Sequence, residues 1–360
     1  MGKVRSPIKQ LAWRGIRRRT APYATGMTVS DQRGIRMSTP TLKVALRTYP
    51  YTEALKSGTV AVSGAKLEFE EVKPHIAAFR RMVRDLAFDA CEIAPTTYII
   101  ARAYGVPIIA LPVFFVRRFH HEGLVVRPGA GIEAPKDLEG KNFGVRAYSV
   151  TTGVWKRGLL QNEYGVDIDK VNWWVDDEEH VAALKLPANV RHVAEDSSLV
   201  AMMAEGKLDA ACTGDAGIGR AGKPGAGWNE SGPALPDDLR QLFPNAAELD
   251  REVYARNGVY PIHGTLAIKE EVLQANPGLA RSLYDAFVEA KAPYLQALRA
   301  GTATGKQAEK DRKLMQIVGD DPLPYGLEAN RASIEALIRY GHQQGLIPRP
   351  YKAEDMFLPF

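Results

Sequence analysis

Twice along this chain, short apolar strands alternate with helical stretches in the same order, and that recurrence most narrows the folds open to it. In the first run, "LKVAL" (42–46) reads as a strand, "TEALKSG" as a helix stopped by Gly58, "KLEFEEV" as a strand and "AAFRRMVRDL" as an amphipathic helix. "FDACEIA" is the next strand, "TTYIIARAYG" a helix closed by a glycine, and "PIIALPVFFV" a further strand. The second run has "KNFGVRAY", the helix "SVTTGVWKRGLLQNEYG", "VNWWV", the helix "SSLVAMMAEG" and "LDAACTG", whose small residues echo "FDACEIA". A Gly/Pro-rich stretch (217–237) is expected to be a surface loop. One more strand, "VYPIHGTLAIKEEV", precedes a mainly helical end, "PGLARSLYDAFVEAKAPYLQAL" and "LEANRASIEALIRYGHQQG".

Two similar α/β halves, with the chain returning to complete the first, predict a two-lobed clamp of type II periplasmic-binding-protein-like architecture. Each lobe is a mixed sheet flanked by helices, joined by two crossover hinge strands. The predicted division is 41–122 plus 265–360 in lobe 1 and 123–264 in lobe 2, with 1–40 as a disordered basic extension. The segments that cross are "HHEGLVVRPG" and "PIHGTLAIKE", expected side by side at the floor of a cleft.

At 360 residues, 45% apolar and 25% charged, the chain is long enough for two such lobes and a sizeable core. Its formal charge of +5 is concentrated: residues 1–40 hold nine Lys/Arg against Asp31, a net +8, which leaves the body at −3. A nucleic-acid partner would rest on the tail alone, and none is expected. Arg17-Arg18-Arg19 has the look of an export signal, but the polar "TAPYATGMTVSDQRGIRMSTP" follows where an apolar core is needed. Met27 and Met37 are alternative starts to Met1. No apolar run is long enough to span a membrane, so no membrane partner is expected. Cys91 and Cys212 each fall in a predicted buried strand and read as core residues; free thiols suit a cytoplasmic location. A homo-oligomer is compatible with these features.

Ligands of open α/β sheets bind beyond the carboxyl ends of strands, near helix N-termini. The loops "RTYPYT", "APTTY", "RAYSVTT" and "TGDAG" fit that rule. They supply the binding candidates Arg47, Tyr51, Thr52, Thr96, Thr97, Arg146, Tyr148, Thr151, Thr152 and Asp215. Hydroxyls and helix-start N–H groups joined by arginines suit a carboxylate or phosphate, although Ser and Thr also cap helices for their own sake. A small anionic ligand bearing carboxylates and hydroxyls is expected, with Trp155 as a ring-stacking candidate.

"RRFHHEGLVV" (117–126) holds two arginines and two histidines just before an apolar strand. Its arginines are expected to divide their work: one, Arg118, toward substrate, the other toward solvent or a structural acid. His120 and His121 are neighbours on an extended segment, so only one should face the cleft, where His263 of the second crossing lies opposite. His180 and His192 lie in polar stretches and read as surface residues, His342 as packing or surface, while His75 could overhang the cleft. Glu92 could orient a histidine or accept a proton, or equally be a buried carboxylate paired with arginine. No paired ligand spacing such as HExxH is present, and no metal is expected.

The motifs "YPYTEALKSG", "RFHHEGL", "GVRAYSVTTGVWKRGLL" and "LPYGLEANRASIEALIRYGHQQGLIPRP", in this order from about Leu42 to the C-terminus, together resemble the 4,5-dihydroxyphthalate decarboxylases. That family is itself similar to solute-binding proteins of ABC transporters. The resemblance implies non-oxidative conversion of 4,5-dihydroxyphthalate to 3,4-dihydroxybenzoate and CO2 on a phthalate degradation route, with no organic cofactor. It favours His121 as proton donor, with His263, His120 and Glu92 as further catalytic candidates. It also implies a histidine one position after His263, where this chain has Gly264. Such chemistry needs a base near the phenol, an acid near the ipso carbon and cations for the carboxylate that stays. The competing reading is a non-catalytic solute-binding protein for an aromatic or other small organic acid; the missing signal and lipobox argue for the enzyme. A thiamine-pyrimidine synthase of the same fold would carry a cysteine-rich signature not found here.

Overall fold

The computed structural model describes residues 39–220 and 234–360; the basic extension and most of the Gly/Pro-rich loop lie outside them. Eleven strands are found among the described residues: β1 (Thr41–Ala45), β2 (Lys66–Phe69), β3 (Ala90–Ile93), β4 (Ile108–Phe114), β5 (Leu124–Val126), β6 (Asn142–Gly144), β7 (Asn172–Val175), β8 (Val190–His192), β9 (Ala210–Cys212), β10 (Arg240–Gln241) and β11 (Thr265–Lys269). They form two mixed sheets, ordered β2-β1-β3-β11-β4 and β10-β5-β9-β6-β7-β8. In the first, β1 runs parallel to β2 and β3, and β11 inserts antiparallel between β3 and β4. In the second, β6 runs parallel to β7 and β9, while β5 is antiparallel to β9 and β10. The strands inside each sheet are buried on both faces, which is why "ACEI" and "AAC" are continuous small or apolar runs rather than alternating ones.

The two-lobed clamp expected from the sequence is therefore the fold. The chain leaves the first sheet after β4, completes the second, and returns at β11. The two crossing segments pair antiparallel at Arg117 and Ile262, where the His263 amide donates to the Val116 carbonyl (2.9 Å) and the Phe115 amide to the Gly264 carbonyl (3.0 Å). Pairing thus falls on 115–117, just ahead of the two histidines.

The helix Arg331–Gln343 packs on the helix Pro95–Ala103 of the first lobe and on Thr151–Tyr164 of the second, a sharing that assigning all of 265–360 to one lobe does not describe. A Cβ on Gly158 would sit 2.0 Å from Cδ2 of Tyr340, so this crossing requires glycine. Gln344 accepts from Nε of Arg157 and donates to the Val154 carbonyl, both at 2.9 Å. One apolar core accordingly runs from Ile99 through Leu337 to Leu160. Four helices are not anticipated from the sequence, the short Glu270–Ala275 and Ala353–Met356 and the longer Ala246–Asn257 and Gly305–Val318; the longer two bury little, Asp250 in the first and Ala308 and Asp311 in the second.

Candidate active site

A cleft of about 760 Å³ opens between the lobes, with the crossing segments at its floor. The carboxyl end of β3 leads to Glu92, fully buried just behind the wall. It accepts hydrogen bonds from the Arg47 amide and Nε (3.0 Å each), from Nη2 of Arg47, and from the Tyr49 hydroxyl (2.7 Å). Burial alone would raise its pKa, but the charge and hydrogen bonds of Arg47, with His75 and Tyr49, hold it below the usual carboxylate range. Glu92 is thus an ionised partner that fixes Arg47 at the cleft wall, the structural reading of the two offered by the sequence. Gly264 packs against this pair: a Cβ there would lie 3.4 Å from Oε1 of Glu92 and 3.2 Å from Cβ of Phe115.

The floor is made by His120 and His263, whose Nε2 atoms lie 2.7 Å apart in a buried hydrogen bond. Behind them the Trp155 ring lies parallel to His120 (6.4 Å, 9°) and donates Nε1–H to the Ile262 carbonyl. Burial, with the charges of Lys156 and Arg118, pushes His120 well below the ordinary imidazole range; burial, then Arg118, His120, Arg117 and Lys156, does the same to His263. Both imidazoles are neutral near pH 7, one donating and one accepting.

The chain bends at His120 and His121 and turns the second of them away. His121, favoured as the proton donor, does not line the cleft: its Nδ1 meets Oδ1 of Asp250 at 2.5 Å and its Nε2 meets the Tyr164 hydroxyl at 2.8 Å. The two arginines both border the cleft but differ in what they meet. Arg117 is buried, donating to the Tyr260 carbonyl (2.7 Å) and to Oδ1 of Asn330; its partner is an amide and a carbonyl, not the acid or solvent expected. Arg118 extends into the cleft and makes no hydrogen bond or ion pair with the described residues; Arg47 repels it and Asp215 at the mouth attracts it.

On the second lobe, Arg146 lines the cleft and pairs through Nη1 with Oδ2 of Asp177 (3.0 Å), which also accepts from Arg80 of the first lobe (2.8 Å). Thr151 and Thr152, at the start of the helix Thr151–Tyr164, line the cleft as well. Thr97 lines it too, bonded to Nδ1 of His180 (2.7 Å), whereas Thr96 lies behind, bonded to Thr151 (2.7 Å). Besides Thr96, four binding candidates are not at the cleft. Tyr51 is stacked on Tyr49 in the core, Thr52 accepts from the Tyr49 amide (2.9 Å) to hold its own turn, and Tyr148 lies under the Arg157 guanidinium. Trp155 backs His120 rather than offering a face to a ligand.

Sequence reasoning missed His180 and Lys156 here, and His75, which it allowed to overhang the cleft, does line it. His180, expected at the surface, is 6% exposed and at the cleft wall, its Nε2 buried without a hydrogen-bond partner among the described residues; Arg84 of the first lobe caps its carbonyl. His75 lines the wall and bonds through Nε2 to the Glu92 carbonyl (3.3 Å). Lys156, 3% exposed, reaches the floor from the helix Thr151–Tyr164, and burial lowers its pKa to about 8. Gly123 (φ +75°) closes the arc beneath it, where a Cβ would sit 2.7 Å from Oγ1 of Thr213. Both cysteines are buried free thiols. Among the described residues no three His, Cys, Asp or Glu side chains converge as metal ligands.

The arrangement is a cationic cleft over a neutral, hydrogen-bonded imidazole pair, suited to holding an organic anion and moving a proton. Comparison with known proteins fits this geometry. Residues 43–321 match the family of periplasmic substrate-binding proteins of phosphonate ABC transporters. A 4,5-dihydroxyphthalate decarboxylase of Comamonas testosteroni is 29% identical over 342 residues, covering 90% of this chain and 98% of that one. One of Pseudomonas putida is 34% identical over 177 residues, covering 47% of this chain and 68% of that one. Among solved structures, the periplasmic aliphatic sulphonate-binding protein of Escherichia coli overlays with a TM-score of 0.47 at 12% identity, over 89% of this chain and 98% of that one.

Proposed function

The chain belongs to the 4,5-dihydroxyphthalate decarboxylase family, within the phosphonate-type periplasmic-binding-protein family, and from that premise we propose that it removes one carboxylate, without oxidation, from a dihydroxylated aromatic dicarboxylate. The substrate proposed is 4,5-dihydroxyphthalate, giving 3,4-dihydroxybenzoate and CO2. The observation that carries the reading is the buried His120–His263 pair beside Arg118, which has no ion-pair partner among the described residues. Binding alone has no need of two neutral imidazoles sharing a hydrogen bond at a cleft floor.

Arg118 takes the carboxylate that stays, and Arg47, held by Glu92, adds positive potential beside it. The hydroxyl para to the departing carboxylate gives its proton to the imidazole pair, and the ring pushes electron density to the ipso carbon. The pair then delivers a proton to that carbon. The C–C bond breaks, its electrons restore the aromatic ring, and CO2 leaves neutral. The product phenolate regains a proton from water entering the cleft mouth, so one proton is consumed overall.

Purified protein incubated with 4,5-dihydroxyphthalate should release CO2 and 3,4-dihydroxybenzoate in equal amounts. The match to transporter binding proteins favours a second reading, a binder of small organic acids. Tight binding of the dicarboxylate with no CO2 released would establish that reading and overturn the first.

A further inference from the structure

Lys156 lies in none of the loops that the sequence marks for binding, yet its ammonium stands directly behind the proposed proton-transfer pair. Its Nζ donates to the carbonyls of His120 (3.1 Å) and Glu122. These two carbonyls flank His121, so one side chain pins the arc along which the chain turns His120 to the cleft and His121 away from it. A neutral donor could hold both carbonyls at a far lower desolvation cost than a buried ammonium. The charge itself therefore calls for a role.

We propose that Lys156 is a positioning residue of this site: its buried positive charge, beyond its hydrogen bonds, keeps the His120–His263 pair proton-poor until an anionic substrate arrives. The pair can then accept the phenol proton rather than being already filled from solvent. For its effect on turnover this inference rests on the decarboxylase reading; for the state of the pair in the free protein it does not.

The surroundings are consistent from every side. Around the pair, the first crossing segment contributes Arg117, Arg118 and His121, and the helix Thr151–Tyr164 contributes Lys156. Around Lys156, the acids Asp250 and Glu122 and the thiol of Cys212 attract the charge, and Arg118 opposes it. After burial, Lys156 is the largest influence holding His120 neutral. With its own pKa lowered to about 8, the ammonium persists through neutral pH and fades above it. A bound dicarboxylate offsets this positive field, so the pair gains affinity for a proton when there is a phenol to supply one. The ammonium keeps all its protons throughout.

The test is a pH titration of the free, full-length protein carrying 15N-labelled histidine. In the wild type the resonances of His120 and His263 should stay those of neutral imidazole well below pH 6.5. Lys156→Gln keeps a donor but removes the charge, and the pair should then titrate about one to two pH units higher, the shift a nearby like charge imposes. Lys156→Arg, which keeps the charge, should titrate like the wild type. Lys156→Met provides the uncharged comparison should the glutamine variant fail to fold. The acid limb of kcat/KM should move up with the pair in the uncharged variants. Wild-type titration in Lys156→Gln or Lys156→Met overturns the proposal, as does an upward shift in Lys156→Arg equal to that in Lys156→Gln. A wild type that releases no CO2 while the titrations behave as described overturns the decarboxylase reading alone.

Discussion

The two faces of the first crossing segment each hold a buried histidine, and they differ in the company they provide. On the back face, His121 has a carboxylate on one nitrogen and a tyrosine hydroxyl on the other, so its hydrogen-bonding capacity is met. On the cleft face, the His120 ring is hydrogen-bonded to another imidazole, with cations at Lys156 and Arg118. The same residue type, one position apart, is thus held by a carboxylate and a hydroxyl on one side and by a second imidazole on the other. Burial alone does not mark a reactive histidine; the sign of the surrounding charge does.

The sharpest way to break this division is to truncate each histidine. His120→Ala and His263→Ala should each lower turnover by about 10²- to 10⁴-fold, the usual worth of a positioned acid or base, in CO2-release assays at saturating substrate. His121→Ala should leave turnover per folded molecule largely intact; an equal loss there would erase the distinction between the faces. Next in size, Asp250→Ala strands the back-face histidine and should cost about 3 kcal/mol in urea unfolding, with little change in kcat. Arg118→Ala removes a charge-assisted contact worth about 1.5–3 kcal/mol, so KM should rise roughly 10- to 150-fold while thermal stability holds. The smallest effect is on pH. His120, His263 and His180 all have depressed pKa values when folded, so below about pH 6.5 the unfolded chain takes up protons that the folded chain refuses. The stability they permit is full above that pH and is lost as pH falls, by up to about 1.4 kcal/mol per pH unit per histidine. His263→Gln should flatten this slope in denaturation midpoints measured from pH 7 to 5.

Much of the fold was legible because its signals are local. "FDACEIA" and "LDAACTG" are too apolar to be anything but interior strands, and Ser198 caps its helix by accepting from the Ala201 amide (3.1 Å). The helix Gly305–Val318 was not legible, since "GKQAEKDRKLMQIV" shows no clear apolar stripe. At the site, the strand-end arginines Arg47 and Arg146 were found because their positions follow from strand direction, and Arg118 because it lies on the crossing segment. His120 against His121 could not be settled from alternation, because period two says that faces differ, not which one is inside. His180 and Lys156 were missed for a different reason: each is buried by elements far away in sequence. Arg84 and Thr97 cover His180 from the other lobe, and the crossing segment covers Lys156.

The order of the first sheet has a consequence for how the molecule is made. The strands of the second sheet all lie between residues 124 and 241, so that lobe has every strand it needs once the chain has passed them. In the first sheet, β11 must slot between β3 and β4, strands synthesised some 150 residues earlier. During translation those two strands wait with unpaired edges, the kind of surface that invites wrong partners. The later-made lobe can thus be folded first, and the earlier one closes only when the returning chain fills the gap. That same insertion draws His263 up to His120. The paired imidazoles and the finished sheet then arise in a single event, late in the life of the nascent chain.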